Sequence, residues 1–319
     1  MRTDINKMNI NHKGDIKFVM NRSLLQLIVT ISETKSFTTA GEKLNMTQPA
    51  VSRAVTSLEK ELGVTLLIRD RRSGVMLTPV GERIIRIYRE ILQGYDKVDQ
   101  EIAREKGLET GSVRIGAFPV AASYFIPKII SRIKKRYPNL EFSIMEGTIA
   151  DIHYLLDRRE IDVGLVIAPE QSDQQTIPLY REGIFAVMRE DHPLSAKTII
   201  HPEDLRQEPM MICKAGYEPP VMAWFERANE IPRIEYVLYN YRTALQMVLA
   251  GEGLAVMSEL SLLDLPPGLK VRRLSPVAYR DIHLAAAPKN ERSIAVSLFI
   301  ETAQNLFPFQ TEHEPLIQI

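Results

Sequence analysis

Cysteine is almost missing. Cys213 stands alone in 319 residues, so no disulfide forms within one chain and no thiol pair can sense oxidants by closing on itself. The six histidines are scattered without HxxxH-type spacing, which leaves no readable metal site. No cofactor or metal is expected. No run of eighteen apolar residues occurs, and the opening "MRTDINKMNINHKGDIKFVM" is polar throughout. With neither a membrane span nor a secretory leader to read, a cytoplasmic location is expected. The segments expected to line a cleft present no Gly-rich phosphate loop and no His with a carboxylate or nucleophile at readable spacing. An enzyme is therefore not indicated.

Net charge is absent as well, with 40 basic and 40 acidic residues, but the balance hides an asymmetry. Between Met20 and Pro79 the basic residues Arg22, Lys35, Lys43, Arg53, Lys60, Arg69, Arg71 and Arg72 face Glu33, Glu42, Glu59, Glu61 and Asp70, an excess of three positive charges. The length and a 45% hydrophobic content suffice for two or three cores. Residues 1–19 carry no periodic apolar face. Either translation starts at Met20, or a disordered arm with Lys7, Lys13 and Lys17 precedes the first domain and can touch phosphate.

From Met20 the pattern is helical. Leu24, Leu27, Ile28 and Ile31 share one face, and Ser36 can cap a second short helix carrying Phe37, Ala40 and Leu44. Asn45 suits a left-handed turn. Thr47 is a good N-cap for a third helix, Pro49 fits its first turn, and Val51, Val55, Leu58 and Leu62 form its buried stripe. Two short helices joined by a tight turn make a helix-turn-helix. On the outer face lie Gln48, Ser52, Arg53 and Thr56. Such a face is a solvated surface or a reader of a groove: Arg pairs with guanine, Gln with adenine, and Ser or Thr with a base edge or phosphate. "VTLLIRDRRSGVMLTP" then reads as a hairpin wing whose tip carries Arg69, Arg71 and Arg72, and the basic wing tips the balance toward DNA.

Between Pro79 and Lys106 the apolar residues Ile84, Tyr88, Ile91, Tyr95, Val98 and Ile102 advance in steps of four and three, with Ile85 and Leu92 broadening the stripe. A seam this long packs against a copy of itself or lies on its own domain. After "KGLETGS" the rhythm changes. Strands "VRIGAF", "FSIMEG" and "DVGLVIA" alternate with helices at Ile126–Tyr137 and Ile149–Arg158. Strands "GIFAVM", "PMMIC", "IEYVLY" and "LAVMS" alternate with helices near Val221–Glu230 and Thr243–Gly251. "LKVRRL", "IHLAAAP" and a helix over Ser293–Leu306 close the series. Alternation implies parallel sheet with right-handed crossovers. The segment beyond Phe307 reads as unstructured.

The stretch "SFTTAGEKLNMTQPAVSRAVTSLEKELGVTLLIRDRRSGVMLTPVGE" closely resembles the winged helix-turn-helix of the LysR-type transcriptional regulators. "IPKIISRIKKRYPNLEFSIMEG", "LLDRREIDVGLV", "PLYREGIFAVMREDHPLS" and "GEGLAVM" follow in that family's order. The resemblance runs from Met20 to about Leu306. It implies an α+β and α/β chain: a DNA-binding domain at 20–79, a dimerising linker helix at 80–106, and a two-lobed α/β effector domain resembling periplasmic binding proteins. One lobe would be 112–168 with 268–306 and the other 169–267, the chain crossing near Ala168 and returning near Pro267. Residues 1–19 and 307–319 would be an extension and a tail. Tyr88 and Tyr95 make the seam unlike a leucine zipper, and the family packs these helices antiparallel.

The implied function is effector-responsive transcription regulation by a homodimer or homotetramer on an interrupted inverted repeat of double-stranded DNA, with RNA polymerase as a further partner. Ligands bind beyond the carboxyl ends of strands in such sheets. That selects Phe118 to Ser123, Thr148, Ala168, Lys214 to Tyr217 and Asn240 to Thr243 as effector contacts. Ser123 and Thr148, near helix starts, suit a small anionic effector, or are ordinary caps. Lys214 can neutralise a carboxylate or be a solvated loop residue. Cys213 reads as an apolar strand residue and His153 as a surface one. A solute-binding protein of a transporter shares the two-lobed fold but needs export and has no use for the first hundred residues.

Overall fold

The computed structural model describes residues 21–70, 74–105, 110–167, 176–214, 218–312 and 315–317. The chain divides into two compact units that meet between Asp96 and Lys97.

In the first unit, helix α1 (Arg22–Thr34) starts where the Asn21 side chain accepts the Leu24 amide at 2.9 Å. Helix α2 (Phe37–Lys43) is capped by Ser36, which accepts the Thr39 amide. Gly41 lets the chain turn tightly into α3 (Gln48–Leu62): a Cβ there would lie 2.6 Å from the Met46 carbonyl oxygen. Asn45 supplies the left-handed residue of that turn, with φ 53°. Strands β1 (Leu67–Asp70) and β2 (Gly74–Leu77) pair antiparallel, and α4 (Pro79–Glu105) follows. Leu25, Ile28, Ile31, Val51, Val55 and Leu58 close one core.

The seam expected to dimerise is split by this core. Tyr88, Ile85 and Leu92 are buried in it, and Ile84 and Ile91 pack against it. Tyr88 is thus an intramolecular core residue, because the first turns of α4 are needed to cover α1 and α3. Tyr95, Val98 and Ile102 remain exposed, Tyr95 lying under the Arg22 guanidinium. Helix α4 is therefore partly a fourth wall of the first unit's core.

The second unit holds strands β3 (Gly111–Ala117), β4 (Leu140–Glu146), β5 (Val163–Ile167), β6 (Thr176–Arg189), β7 (Ile199–Ile200), β8 (Met210–Cys213), β9 (Ile234–Leu238), β10 (Leu254–Ser258), β11 (Leu269–Leu274) and β12 (Tyr279–Ala286). Its helices are α5 (Pro119–Lys134), α6 (Ile149–Asp157), α7 (Glu218–Arg227), α8 (Tyr241–Ala250) and α9 (Ile294–Leu306). The strands lie in the order β4-β3-β5-β12-β6-β10-β8-β9, with β11 also beside β6. Within each lobe the helix-connected strands are parallel, as alternation implies: β3 with β4 and β5, and β8 with β9 and β10. The strands that join the lobes are antiparallel, which the alternation rule did not foresee. β6 runs against β10, β11 and β12, and β12 against β5.

The lobe changeovers also move. β6 begins at Thr176 rather than Gly183, and its first half pairs with β12 while Ile184–Val187 pairs with β10. One long strand serves both lobes, so the outward crossing lies at Gly183–Ile184 and not at Ala168, which is outside the described residues. β11 still pairs with β6 in the second lobe, so the return falls between Leu274 and Tyr279 rather than near Pro267. Helix α5 starts at Pro119, seven residues before the expected Ile126. The tail is not wholly loose either. Phe307 stacks edge-on against Phe125 at 4.8 Å, Arg181 donates to the Thr311 carbonyl at 3.0 Å, and Ile317 packs on the apolar cluster around Leu245 and Val248.

Candidate nucleic-acid interface and effector junction

Helix α3 buries Val51, Val55 and Leu58, which turns Gln48, Arg53 and Thr56 to solvent, with Ser52 half-buried. Ser52, Arg53, Thr56, Ser57 and Lys60 line a shallow concavity on that outer face. The Thr56 hydroxyl donates to the Ser52 carbonyl at 2.9 Å, which leaves it an acceptor. Thr47 sits at the N-cap position with extended backbone, yet its side chain makes no capping hydrogen bond. That departs from the expected cap. Pro49 removes one orphan amide, and the remaining first-turn N–H groups point outward beside an exposed hydroxyl, an arrangement that suits a phosphate.

The wing is anchored at its base. The Glu59 carboxylate accepts from the Leu66 and Leu67 amides at 2.7 and 3.0 Å, and Thr78 donates to the Thr65 carbonyl at 2.7 Å. Val75 donates its amide to the Lys35 carbonyl at 3.0 Å. Gly74, at φ 77°, passes so close that a Cβ would lie 2.7 Å from that same oxygen. Arg69 lies on β1; Arg71 and Arg72 fall outside the described residues.

Several of the residues selected for an effector have local structural roles. Ser123 is not at a helix start; it is inside α5, and its hydroxyl donates to the Val120 carbonyl at 3.0 Å. The true N-cap is Phe118, which offers no side-chain acceptor to the first turn. Thr148 is a complete capping box: it accepts from the Asp151 amide while the Asp151 carboxylate accepts the Thr148 amide at 2.8 Å. Those hydrogen bonds from Thr148 hold the Asp151 carboxyl below its usual range. A carboxylate already occupies that helix start, so Thr148 is a poor place for an anion. Asn240 caps α8, accepting from the Arg242 and Thr243 amides, and Thr243 is exposed. Lys214 is exposed at the end of β8, its amide bonded to the Leu238 carbonyl.

At the lobe junction lies a group that sequence reasoning missed. Glu182, the last residue before the crossing in β6, pairs with Arg280 at the start of β12, and both side chains are 0% exposed. Arg280 also donates to the Ser258 hydroxyl at 2.9 Å and lies 5.2 Å from the Phe118 ring centre, while the other Glu182 oxygen accepts the Leu260 amide at 3.0 Å. Tyr124 and Tyr180 stand near, their hydroxyl pKa values pushed up by burial first and then by Glu259 and Glu182. The only sequence signal was a charge inside each apolar strand, with the partners 98 residues apart.

A family model described as the LysR substrate binding domain matches residues 106–308, and another, a bacterial regulatory helix-turn-helix protein of the lysR family, matches residues 23–82. The chain belongs to the LysR family. YvbU, an uncharacterized HTH-type transcriptional regulator of Bacillus subtilis, is 44% identical over 290 residues, covering 90% of this chain and 99% of the relative. Full-length OxyR from Pseudomonas aeruginosa shares the architecture at a TM-score of 0.74 and 26% identity, covering 94% of this chain and 100% of that one. CbnR, solved in complex with its target DNA, matches in fold at a TM-score of 0.63 and 19% identity, over 90% of this chain and 99% of that one. This LysR-type chain is a DNA-binding transcriptional regulator with an effector-binding domain, and a regulator rather than an enzyme. Among the described residues no helix is long and apolar enough to cross a membrane.

Proposed function

We propose that this LysR-type regulator acts in the cytoplasm as a dimer, or a pair of dimers, on an interrupted inverted repeat, and that a small molecule at the lobe junction changes how the dimers lie along the duplex. The observation that carries the reading is the outer face of α3, where Gln48, Ser52, Arg53 and Thr56 lie beside an N-terminus that no side chain caps. Gln48, Ser52 and Arg53 read base edges; Thr47 and Pro49 bring the helix start to a phosphate; Arg69, Arg71 and Arg72 place the wing on the backbone. The self-contact uses the part of α4 not consumed by its own domain. The exposed Ile87, Gly94, Val98 and Ile102 follow one another at steps of seven, four and four, and a Cβ on Gly94 would meet nothing within 4 Å.

The effector reading is supported by the junction's arrangement, where the carboxyl end of β3 and the uncapped first turn of α5 meet the Glu182–Arg280 pair. An anion is accommodated at that first turn rather than at Thr148. RNA polymerase contact follows from regulation of transcription as a class and is tied to no residue here.

Selection of bound fragments from the organism's own genome, followed by footprinting, tests the proposal. Arg53→Ala is expected to relax preference at one base pair per half-site and to cost about 1 to 3 kcal/mol. An unchanged preference would remove Arg53 from the base-reading set.

A further inference from the structure

Glu59 lies seven residues after Ser52, so it continues the line of Ser52 and Thr56 along α3, about 10 Å further from the helix start. A carboxylate on a line that faces DNA would repel phosphate if it stood free. It does not stand free. Its Oε1 accepts the two amides that open the wing, Leu66 at 2.7 Å and Leu67 at 3.0 Å, and both residues are buried. Leu67 pairs with Leu77 across the hairpin, and the Thr78 amide returns to the Leu66 carbonyl at 3.0 Å. One carboxylate oxygen therefore joins the helix to the base of the wing.

We infer that Glu59 is a positioning residue for DNA recognition: it sets the angle between α3 and the wing so that both engage one duplex together. This rests on the DNA reading above and adds to it a residue that touches no DNA. Its expected sign opposes simple electrostatics. Deleting a negative charge from the DNA-binding unit should strengthen binding to a polyanion, whereas loss of wing position should weaken it.

The test uses the full chain and a genomic fragment bound by the wild type, with hydroxyl-radical footprinting, guanine protection and affinity measured over a range of salt. Glu59→Ala is expected to bind about tenfold more weakly, with a shallower salt dependence as phosphate contacts are lost. Backbone protection at the wing should disappear while guanine protection under α3 persists. Glu59→Gln keeps a carbonyl oxygen at the same reach and should stay within about threefold of the wild type. Glu59→Asp keeps the charge but is a methylene too short, and should behave like Ala, which preserves the test if Ala fails to fold. Wild-type behaviour of Asp, tighter binding by Ala, or equal losses in Gln and Ala would each overturn the inference. Failure of the wild type to bind any genomic fragment would instead overturn the DNA reading itself.

Discussion

At the scale of single residues, the most consequential side chains are those at the lobe junction. Glu182 and Arg280 are buried at the point where β6 changes lobes, and each bonds a further group from β10 or the turn after it. A buried ion pair contributes little against an apolar pair of similar shape, but one partner left alone is costly. Arg280→Met or Glu182→Leu should each lower stability by about 3 to 5 kcal/mol in urea unfolding, and the double replacement by less than the two together. Additive losses would mean that the two side chains act separately. His283, half-buried on β12 and 3.0 Å from the Thr176 hydroxyl, adds a pH dependence. Burial pushes its pKa down, and Asp281 only partly opposes this. The unfolded chain takes up its proton near pH 6.5 while the folded chain does not. Stability contributed by His283 is therefore present above that pH, falls on acidification below it, and stops falling beneath the folded-state pKa. His283→Gln should flatten this part of the stability profile; an unchanged slope would assign it to other groups.

At the scale of elements, legibility followed the range of the interactions. The helix-turn-helix could be read because its determinants are local: Ser36 caps α2, Asn45 turns left-handed, and Val51, Val55 and Leu58 recur at helical spacing within α3. Helix α4 could be read as a helix but not as two faces, since nothing in its period says that Tyr88 is claimed by α1 and α3 while Val98 is not. Strand β6 was half-read, because "TIPLYRE" pairs with β12 a hundred residues away and carries no continuous apolar run. Thr148 and Asn240 cap their own helix starts, a role that spacing alone could not distinguish from an open site. The two faces of α4 give opposite expectations. Tyr88→Ala, 3% exposed in the wild type, should destabilise the first unit by about 3 kcal/mol. Val98→Lys, at a position 55% exposed, should leave monomer stability within about 0.5 kcal/mol but weaken self-association in sedimentation. Equal sedimentation of Val98→Lys and wild type would move the self-contact elsewhere.

At the scale of the whole molecule, zero net charge conceals a division of labour. Residues 20–79 carry three excess positive charges and the whole first unit, Met1–Asp96, carries five, which leaves the larger unit, Lys97–Ile319, five negative at neutral pH. A duplex therefore attracts the first unit and repels the larger one, which favours binding through the helix-turn-helix alone and limits non-specific adhesion. Each phosphate neutralised contributes about 0.9 to the slope of log affinity against log salt. A two-fold dimer makes every contact twice, so Arg69→Ala should lower the slope by about 1.8 for the dimer and by about 0.9 for one protomer. Val98→Lys supplies the second condition, since it should separate protomers without touching the DNA-facing surface. Measured on one operator half-site and on the complete repeat, the wild-type slope should roughly double with the second half-site, while that of Val98→Lys at low protein concentration should not. If the wild-type slope were the same on both, only one recognition helix would be engaging the duplex, and the paired geometry would have to be abandoned even with the fold and the family intact.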